Sequence, residues 1–307
     1  MRIVFAGTPT FSLAPLRALH DAGIEIAAVL TQPDRPTGRK GVLTPSPVKL
    51  LAEELGIPVL QPEKLRSDLS QLKAVHADIM VTCAYGQILS QETLDLFSGG
   101  VWNVHASLLP AYRGAAPIAR AIIDGARETG ITIMKTDVGL DTGDIFLQKE
   151  MNITESDTCG SLTERLSGLG AELIVDAVKK IGRGEAVLRP QVGGFVCKKV
   201  SRTEIDFSQN AHTVSALVRG LSPAPLSFGI INGLTLNFYF AEVVEGMKDA
   251  PYGTVLSVNP KQGFIVSCGK GAVRLSEIQP SGGKRMTDRD FLNGRKVSEG
   301  MRFECVL

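Results

Sequence analysis

Residues 103–144 read NVHASLLPAYRGAAPIARAIIDGARETGITIMKTDVGLDTGD. Just before this stretch, Asp78-Ile-Met-Val-Thr-Cys-Ala-Tyr85 is a short apolar run of the kind buried parallel strands show. Asn103-Val-His-Ala is then expected as another short strand. Residues two apart on a strand share a face, so Asn103 and His105 point the same way and Val104 turns into the opposite packing layer. An amide NH2 and a ring N–H on one face both donate to an oxygen that gains negative charge. Acyl transfer through a tetrahedral intermediate needs that arrangement. Asp141 follows in Val-Gly-Leu-Asp-Thr-Gly-Asp, where Gly139 and Gly143 predict a turn. A carboxylate on such a turn can orient the imidazole or take up protons. Any one of these residues alone reads as an ordinary cap on a strand or turn, but the ordered set does not.

Upstream, residues 1–6 predict a first buried strand, Phe11 to about Ala22 a helix, and Ile24 to Thr31 a second strand. A helix over 48–56, a strand over 57–60 and a helix near 63–76 follow, leading into the run at 78–85. This alternation predicts an α/β fold, a Rossmann-like, mostly parallel sheet with helices on both faces. No GxGxxG follows the first strand, so a dinucleotide is not indicated. Ligands of such sheets sit beyond the carboxyl ends of strands. Tyr85, Gly86 and Ile88 are therefore expected to wall a ligand pocket. Downstream, an extended segment is expected from Asp144. Leu162, Leu166, Leu169 and Leu173 then recur at steps of four, three and four, the stripe of an amphipathic helix on the sheet.

Residues 33–47, PDRPTGRKGVLTPSP, carry four prolines and two glycines, which rules out a regular helix or central strand. The loop is longer than a strand–helix connection requires, and loops of that kind are often functional. Arg35, Arg39, Lys40 and the following Lys49 outnumber Asp34, a composition suited to phosphate contact at an RNA end.

Beyond residue 189 the pattern changes. Residues 190–206 predict a linker, with Gly193-Gly194 and the charges of Lys198, Lys199 and Arg202. After a short helix over 211–220, short strands separated by Gly, Pro, Asn and Lys predict a small antiparallel barrel. The expected division is 1–189, a linker at 190–206, and 207–307. Residues 191–307 carry 14 Lys and Arg against 10 Asp and Glu, whereas the whole 307-residue chain is only +1. The basic bias of the second part is compatible with a nucleic-acid partner.

The hydrophobic fraction of 44% and charged fraction of 21% are those of a soluble globular protein. No apolar run approaches the roughly 20 residues a membrane span needs, and the first residues form no signal sequence. The five cysteines (83, 159, 197, 268, 305) are scattered and show neither zinc-ligand nor disulfide-framework spacing. Buried thiols, no metal, and a monomer in a reducing cytoplasm are expected.

NVHASLLPAYRGAAP followed by ETGITIMKTDVGLDTGD resembles the folate-dependent formyltransferases. The resemblance implies that Asn103, His105 and Asp141 carry formyl transfer from 10-formyltetrahydrofolate to an amine. It implies that Ser107, Leu108, Leu109 and Pro110 contact folate. PDRPTGRKGVLTPSPVK resembles the loop by which members acting on methionyl-tRNA engage the acceptor stem of the initiator tRNA, with Arg39 at the matching arginine. The second domain resembles the OB-like barrel of the long members. On this reading the partner is initiator methionyl-tRNA, contacted by Arg35, Arg39, Lys40, Lys198 and Lys199. Three other readings compete: a formyltransferase for an amino-sugar nucleotide, a Ser107–His105–Asp141 hydrolase, and a non-catalytic tRNA-binding protein. The hydrolase lacks a GxSxG elbow and has its serine only two residues from its base.

Overall fold

The computed structural model describes residues 1–307 except 39, 40, 249, 295 and 305–307. In chain order the first elements are β1 (Arg2–Gly7), α1 (Leu13–Asp21), β2 (Glu25–Leu30), β3 (Arg35–Thr37), β4 (Val42–Thr44), α2 (Pro47–Glu54) and β5 (Val59–Leu60). Next come α3 (Ser70–Lys73), β6 (Ile79–Cys83), α4 (Gln91–Leu94), β7 (Val101–His105), β8 (Arg113–Gly114) and α5 (Pro117–Ile123). They are followed by β9 (Glu128–Lys135), β10 (Ile145–Asn152), α6 (Cys159–Gly182) and β11 (Val196–Cys197). The remainder comprises β12 (Thr203–Glu204), α7 (Ala211–Gly220), β13 (Ser227–Ile231), β14 (Leu234–Val244), β15 (Val255–Ser257), β16 (Ile265–Ser267), β17 (Ala272–Pro280), β18 (Met286–Thr287) and α8 (Asp288–Asn293).

Two compact units result. One contains residues 1–114, 129–151 and 163–197, and the other 115–128, 152–162 and 198–307. The first is built on a sheet of order β10-β9-β7-β6-β1-β2-β5. Its β5–β2–β1–β6–β7 part is parallel, as the alternation of apolar runs and helices predicts. Strand alternation gives the sheet two apolar faces. Val4, Ala6, Leu30, Met80 and Val101 pack on one side with Leu65, Leu69, Leu72 and Phe97. On the other, Gly170 of α6 lies so close to Val104 and Ile131 that a Cβ there would be 3.1 Å from Val104. The leucine stripe of α6 is buried at Leu162, Leu166 and Leu169.

Sequence periodicity did not reveal β9, which pairs antiparallel with β7. Nor does the helix expected near 63–76 form as one element. A short turn at Leu65–Ser67 and the four-residue α3 take its place. The cause is local: Asp68 takes an extended backbone, and its carboxylate accepts from both the backbone N–H and the hydroxyl of Ser70, which breaks the helix there. Those bonds hold its pKa below the usual value.

The proline-rich loop is not featureless. β3 and β4 form an exposed antiparallel hairpin with Arg35 opposite Thr44. Asp34 anchors its base, accepting from Gln61 at 2.7 Å and from Lys49 at 2.7 Å. These bonds, Gln61 first, lower the Asp34 pKa. Lys49 is therefore engaged within the fold rather than presented to phosphate.

The second unit holds an antiparallel-rich sheet of order β12-β13-β14-β17-β16-β15, with β18 on β17. Register shifts near Phe240 bend β14 against β17. Its core contains Phe207, Phe238, Phe264, Phe291 and Phe303 together with Val214 and Val218 of α7. Asp288, 1% exposed, starts α8 and accepts from Arg274 Nε at 2.7 Å and from the Phe264 amide at 3.1 Å. Arg274 keeps 24% of its side chain in solvent. Asp288→Asn should therefore cost about 2 to 3 kcal/mol, somewhat below the loss from breaking a fully buried pair. Urea denaturation should show a lower midpoint at unchanged slope. An unchanged midpoint would mean the pair contributes nothing.

Candidate active site

Asn103 and His105 lie two apart on β7 and face the same side, as strand geometry requires. Thr82 on β6 is in register with Asn103. Its hydroxyl donates to Asn103 Oδ1 at 2.9 Å, which fixes the amide with its NH2 turned toward Asp141. Asn103 Nδ2 stands 3.5 Å from Asp141 Oδ1, a long contact. The amide nitrogen carries two hydrogens, so one remains to be offered elsewhere.

The His105 ring is nearly buried. Its Nε2 is 3.0 Å from the Tyr112 carbonyl, which can only accept, so Nε2 carries a hydrogen. Nδ1 faces Asp141 Oδ2 at 3.6 Å. A neutral ring in this tautomer presents a bare nitrogen to a carboxylate. At that separation the carboxylate faces the ring without being hydrogen-bonded to it.

Asp141 is brought there by the turn that the glycines predict. β9 ends with Lys135 opposite Trp102, and the chain then turns through 136–144. A Cβ on Gly143 would overlap the Lys135 carbonyl, so the turn closes only with glycine. Asp141 itself sits at φ +53°. Its Oδ2 accepts from the Gly114 amide at 2.8 Å. Gly114, at φ +101°, leaves no room for a side chain, because a Cβ would stand 2.8 Å from the Cys197 carbonyl.

The Ser107–Pro110 segment follows β7 directly. Thr132 of β9, opposite His105, organises it. The Thr132 hydroxyl donates to the Ser107 carbonyl at 2.7 Å and accepts from the Leu109 amide at 3.1 Å. Gln148 adds donations to Thr132 Oγ1 at 2.9 Å and to the Leu109 carbonyl at 2.8 Å. Leu109 is buried with Met134 and Ile145, while Leu108 and Pro110 are half-buried. Ser107 is fully buried and its hydroxyl donates to the Ala111 carbonyl at 2.6 Å, which removes it as a hydrolytic nucleophile.

The other expected ligand residues are placed differently. The Tyr85 ring packs in the apolar core, where burial pushes its hydroxyl up to about 12. Its backbone carbonyl accepts from Thr8 and Gln32. Gly86 follows at φ +85°, and Ile88 is 77% exposed. Arg35 is exposed, with Glu63 at 3.6 Å. Lys198 and Lys199 are exposed, and Arg39 and Lys40 lie outside the described residues. Thr82, Thr132, Gln148 and Gln191 were not anticipated. A threonine inside an otherwise apolar run is the only sequence hint, and it applies to Thr82 alone. Gln191 gave no signal, yet it reaches the backbone of the Asp141 turn. Burial holds the Cys83 thiol up at about 12, as expected of an inert buried cysteine.

Residues 1–178 match the formyl transferase family and residues 198–296 the formyl transferase C-terminal domain. The chain belongs to the formyl transferase family. Its full-length relatives narrow the class to the methionyl-tRNA formyltransferases. That of Paraburkholderia phymatum is 42% identical, covering 100% of this chain and 98% of its own length. That of Nitrosospira multiformis is 45% identical, with 99% of each covered. That of Neisseria gonorrhoeae is 44% identical, covering 98% of this chain and all of its own. The fold is shared with the sugar 3N-formyl transferase WlaRD, solved with dTDP and 5-N-formyl-THF. It matches with a TM-score of 0.68 at 20% identity over 89% of this chain and 96% of that one. HypX of Aquifex aeolicus, solved with tetrahydrofolic acid, gives a TM-score of 0.68 at 18% identity over 97% of this chain and 48% of HypX.

Thr82→Val keeps the strand and its methyl packing but frees the Asn103 amide to turn. Formyl-transfer turnover should drop about tenfold, the worth of one orienting hydrogen bond, with an unchanged melting temperature. Turnover equal to wild type would show that the amide needs no help from Thr82.

Proposed function

We propose that this chain transfers the formyl group of 10-formyltetrahydrofolate to the free α-amine of methionyl initiator tRNA, acting as a monomer in the cytoplasm. The observation that carries the reading is the meeting of Asn103, His105 and Asp141 on one face of the sheet beside the ordered Ser107–Pro110 segment. The methionyl-tRNA formyltransferase relatives support the choice of acceptor. The division into a catalytic part at 1–189, a linker at 190–206 and a tRNA-contacting OB-like part at 207–307 belongs to the same proposal.

The chemistry follows from the hydrogen-bond arrangement. The amine attacks the formyl carbon, and the carbonyl oxygen becomes an oxyanion. The second N–H of Asn103, held in place by Thr82, donates to that oxygen. The His105 Nε2–H exchanges the Tyr112 carbonyl for the same oxygen. As the amine loses its proton, the His105–Asp141 pair takes one up between Nδ1 and Oδ2, and it returns one to the departing N10 of the folate. Folate lies against the Ser107–Pro110 segment at its accessible residues, Leu108 and Pro110, with the backbone around Tyr85, Gly86 and Ile88 completing the pocket; Ser107 and Leu109 are buried and shape that segment from beneath. Arg35, Arg39, Lys40, Lys198 and Lys199 contact the tRNA backbone.

The test incubates 10-formyltetrahydrofolate and the protein with charged initiator tRNA, charged elongator tRNA and uncharged tRNA, and reads the product by acid gel or mass. Formylmethionine confined to the charged initiator establishes reaction, donor and acceptor. Folate binding without product would redirect the acceptor to an amino sugar. Asn103→Ala and His105→Ala should each lower turnover about 10²-fold or more, the usual loss for an oxyanion donor. A near-normal rate in a folded variant would remove that residue from the chemistry. Arg39→Ala should raise KM for methionyl-tRNA and leave folate binding unchanged. An unaltered rate at subsaturating tRNA would sink the role of the loop.

A further inference from the structure

Gln191 has no part in the chemistry above, yet its side chain is tied to the backbone of the catalytic turn. Its Nε2 donates to the Asp141 carbonyl at 2.9 Å and to the Gly143 carbonyl at 2.7 Å. Its Oε1 accepts from Arg113 Nε at 2.9 Å. These three bonds leave the amide one orientation. A flipped amide would set its oxygen against two carbonyls and its NH2 against a guanidinium N–H. Arg113 belongs to β8, immediately before the Gly114 amide that holds the Asp141 carboxylate. Gln191 therefore grips both partners of one contact, the turn that carries Asp141 and the strand that carries its donor.

The surroundings make the grip firm. The chain after Gln191 lies along β8, where Val196 pairs with Arg113 and Cys197 with Gly114. The Arg113 amide donates to the Phe195 carbonyl, and the Phe195 ring meets Tyr112 edge-on at 4.8 Å between centroids. Tyr112 in turn offers its carbonyl to His105. Asp141 adopts a left-handed backbone, a region aspartate enters more readily than most residues, and the donors of Gln191 and Gly114 hold the turn there.

We infer that Gln191 is a positioning residue for formyl transfer, setting the Asp141 carboxylate against Asn103 and His105 through the backbone of residues 141 and 143. The inference rests on the proposed role of Asp141. Gln191→Met preserves length and bulk and removes all three bonds. It should lower kcat for formylation about 10- to 100-fold, the cost of a displacement near 1 Å at a reacting group. KM for both substrates should stay within about threefold and the melting temperature within a few degrees.

The decisive readout is the double variant. In an Asp141→Asn background, Gln191→Met should add less than about a threefold loss, because a residue acting through Asp141 has little left to affect. Should Gln191→Met not fold, Gln191→Glu decides: it keeps the acceptor for Arg113, loses both donations to the turn, and should show the same drop in kcat and the same non-additivity. A wild-type kcat, a change confined to KM, or a full additive loss in the Asp141→Asn background would each overturn the role. Wild-type protein assayed alongside separates the two readings. Absence of formylation in wild type would overturn the proposed function and this inference with it, whereas an additive loss on an active wild type overturns only the latter.

Discussion

The placement of one carboxylate governs this site. Asp141 has to stand between an amide and an imidazole whose positions a β-strand has already fixed, so the turn must come to the strand. Three features bring it there: a glycine that lets 143 close on Lys135, a glycine amide at 114 that donates to the carboxylate, and the donors of Gln191. The left-handed backbone at Asp141 is one that aspartate enters more readily than most non-glycine residues. It persists where the surrounding bonds determine it more tightly than its own preference does.

The same logic of fully partnered polar groups runs through the sheet beneath. Thr82 and Thr132 are buried threonines on central strands, a position suited to a β-branched residue. Each puts a methyl into the packing and directs a hydroxyl at one functional element. Thr82 fixes which end of the Asn103 amide faces Asp141. Thr132, joined by Gln148, fixes the backbone of Ser107 through Leu109. The site is thus aimed from strands, which hold direction better than loops do.

Much of this was legible before any coordinates. Alternation along 103–105 gave the shared face, the glycines around Asp141 gave the turn, and the rhythm of apolar runs gave the parallel sheet. What escaped has physical reasons. β9 begins with Glu128 and Gly130 and lies beside a helix-like stretch, so neither a clean apolar run nor strict alternation marks it; only its register with β7 reveals the strand. The helix near 63–76 fails because Asp68 is extended midway and bonds Ser70 instead, a choice apolar periodicity does not weigh. Lys49 adds to the positive charge of the loop in sequence, whereas in the fold it pairs with Asp34 at 2.7 Å. Gln191 gives no signal, because its partners lie 48 to 78 positions earlier and a lone glutamine before a pair of glycines resembles any surface segment.

The catalytic and acceptor-reading roles proposed for the first unit answer to different physical demands. Oxyanion stabilisation rewards groups that are already in place, and the Asn103–His105–Asp141 set is buried or half-buried with its partners fixed by hydrogen bonds. Selection of a large polyanion rewards reach and released counterions, and groups serving it do best in solvent. The β3–β4 hairpin fits the second demand. Its base is pinned where Asp34 meets Lys49 and Gln61 and where Thr31 meets Ser46 at 2.6 Å. Its strands stand exposed on every residue. A fixed base under an exposed hairpin lets basic side chains be varied for recognition without strain reaching β2. That separation explains how a polar, proline-rich excursion of this length can sit in the middle of a parallel sheet's connections and leave β2 paired in parallel with both β1 and β5.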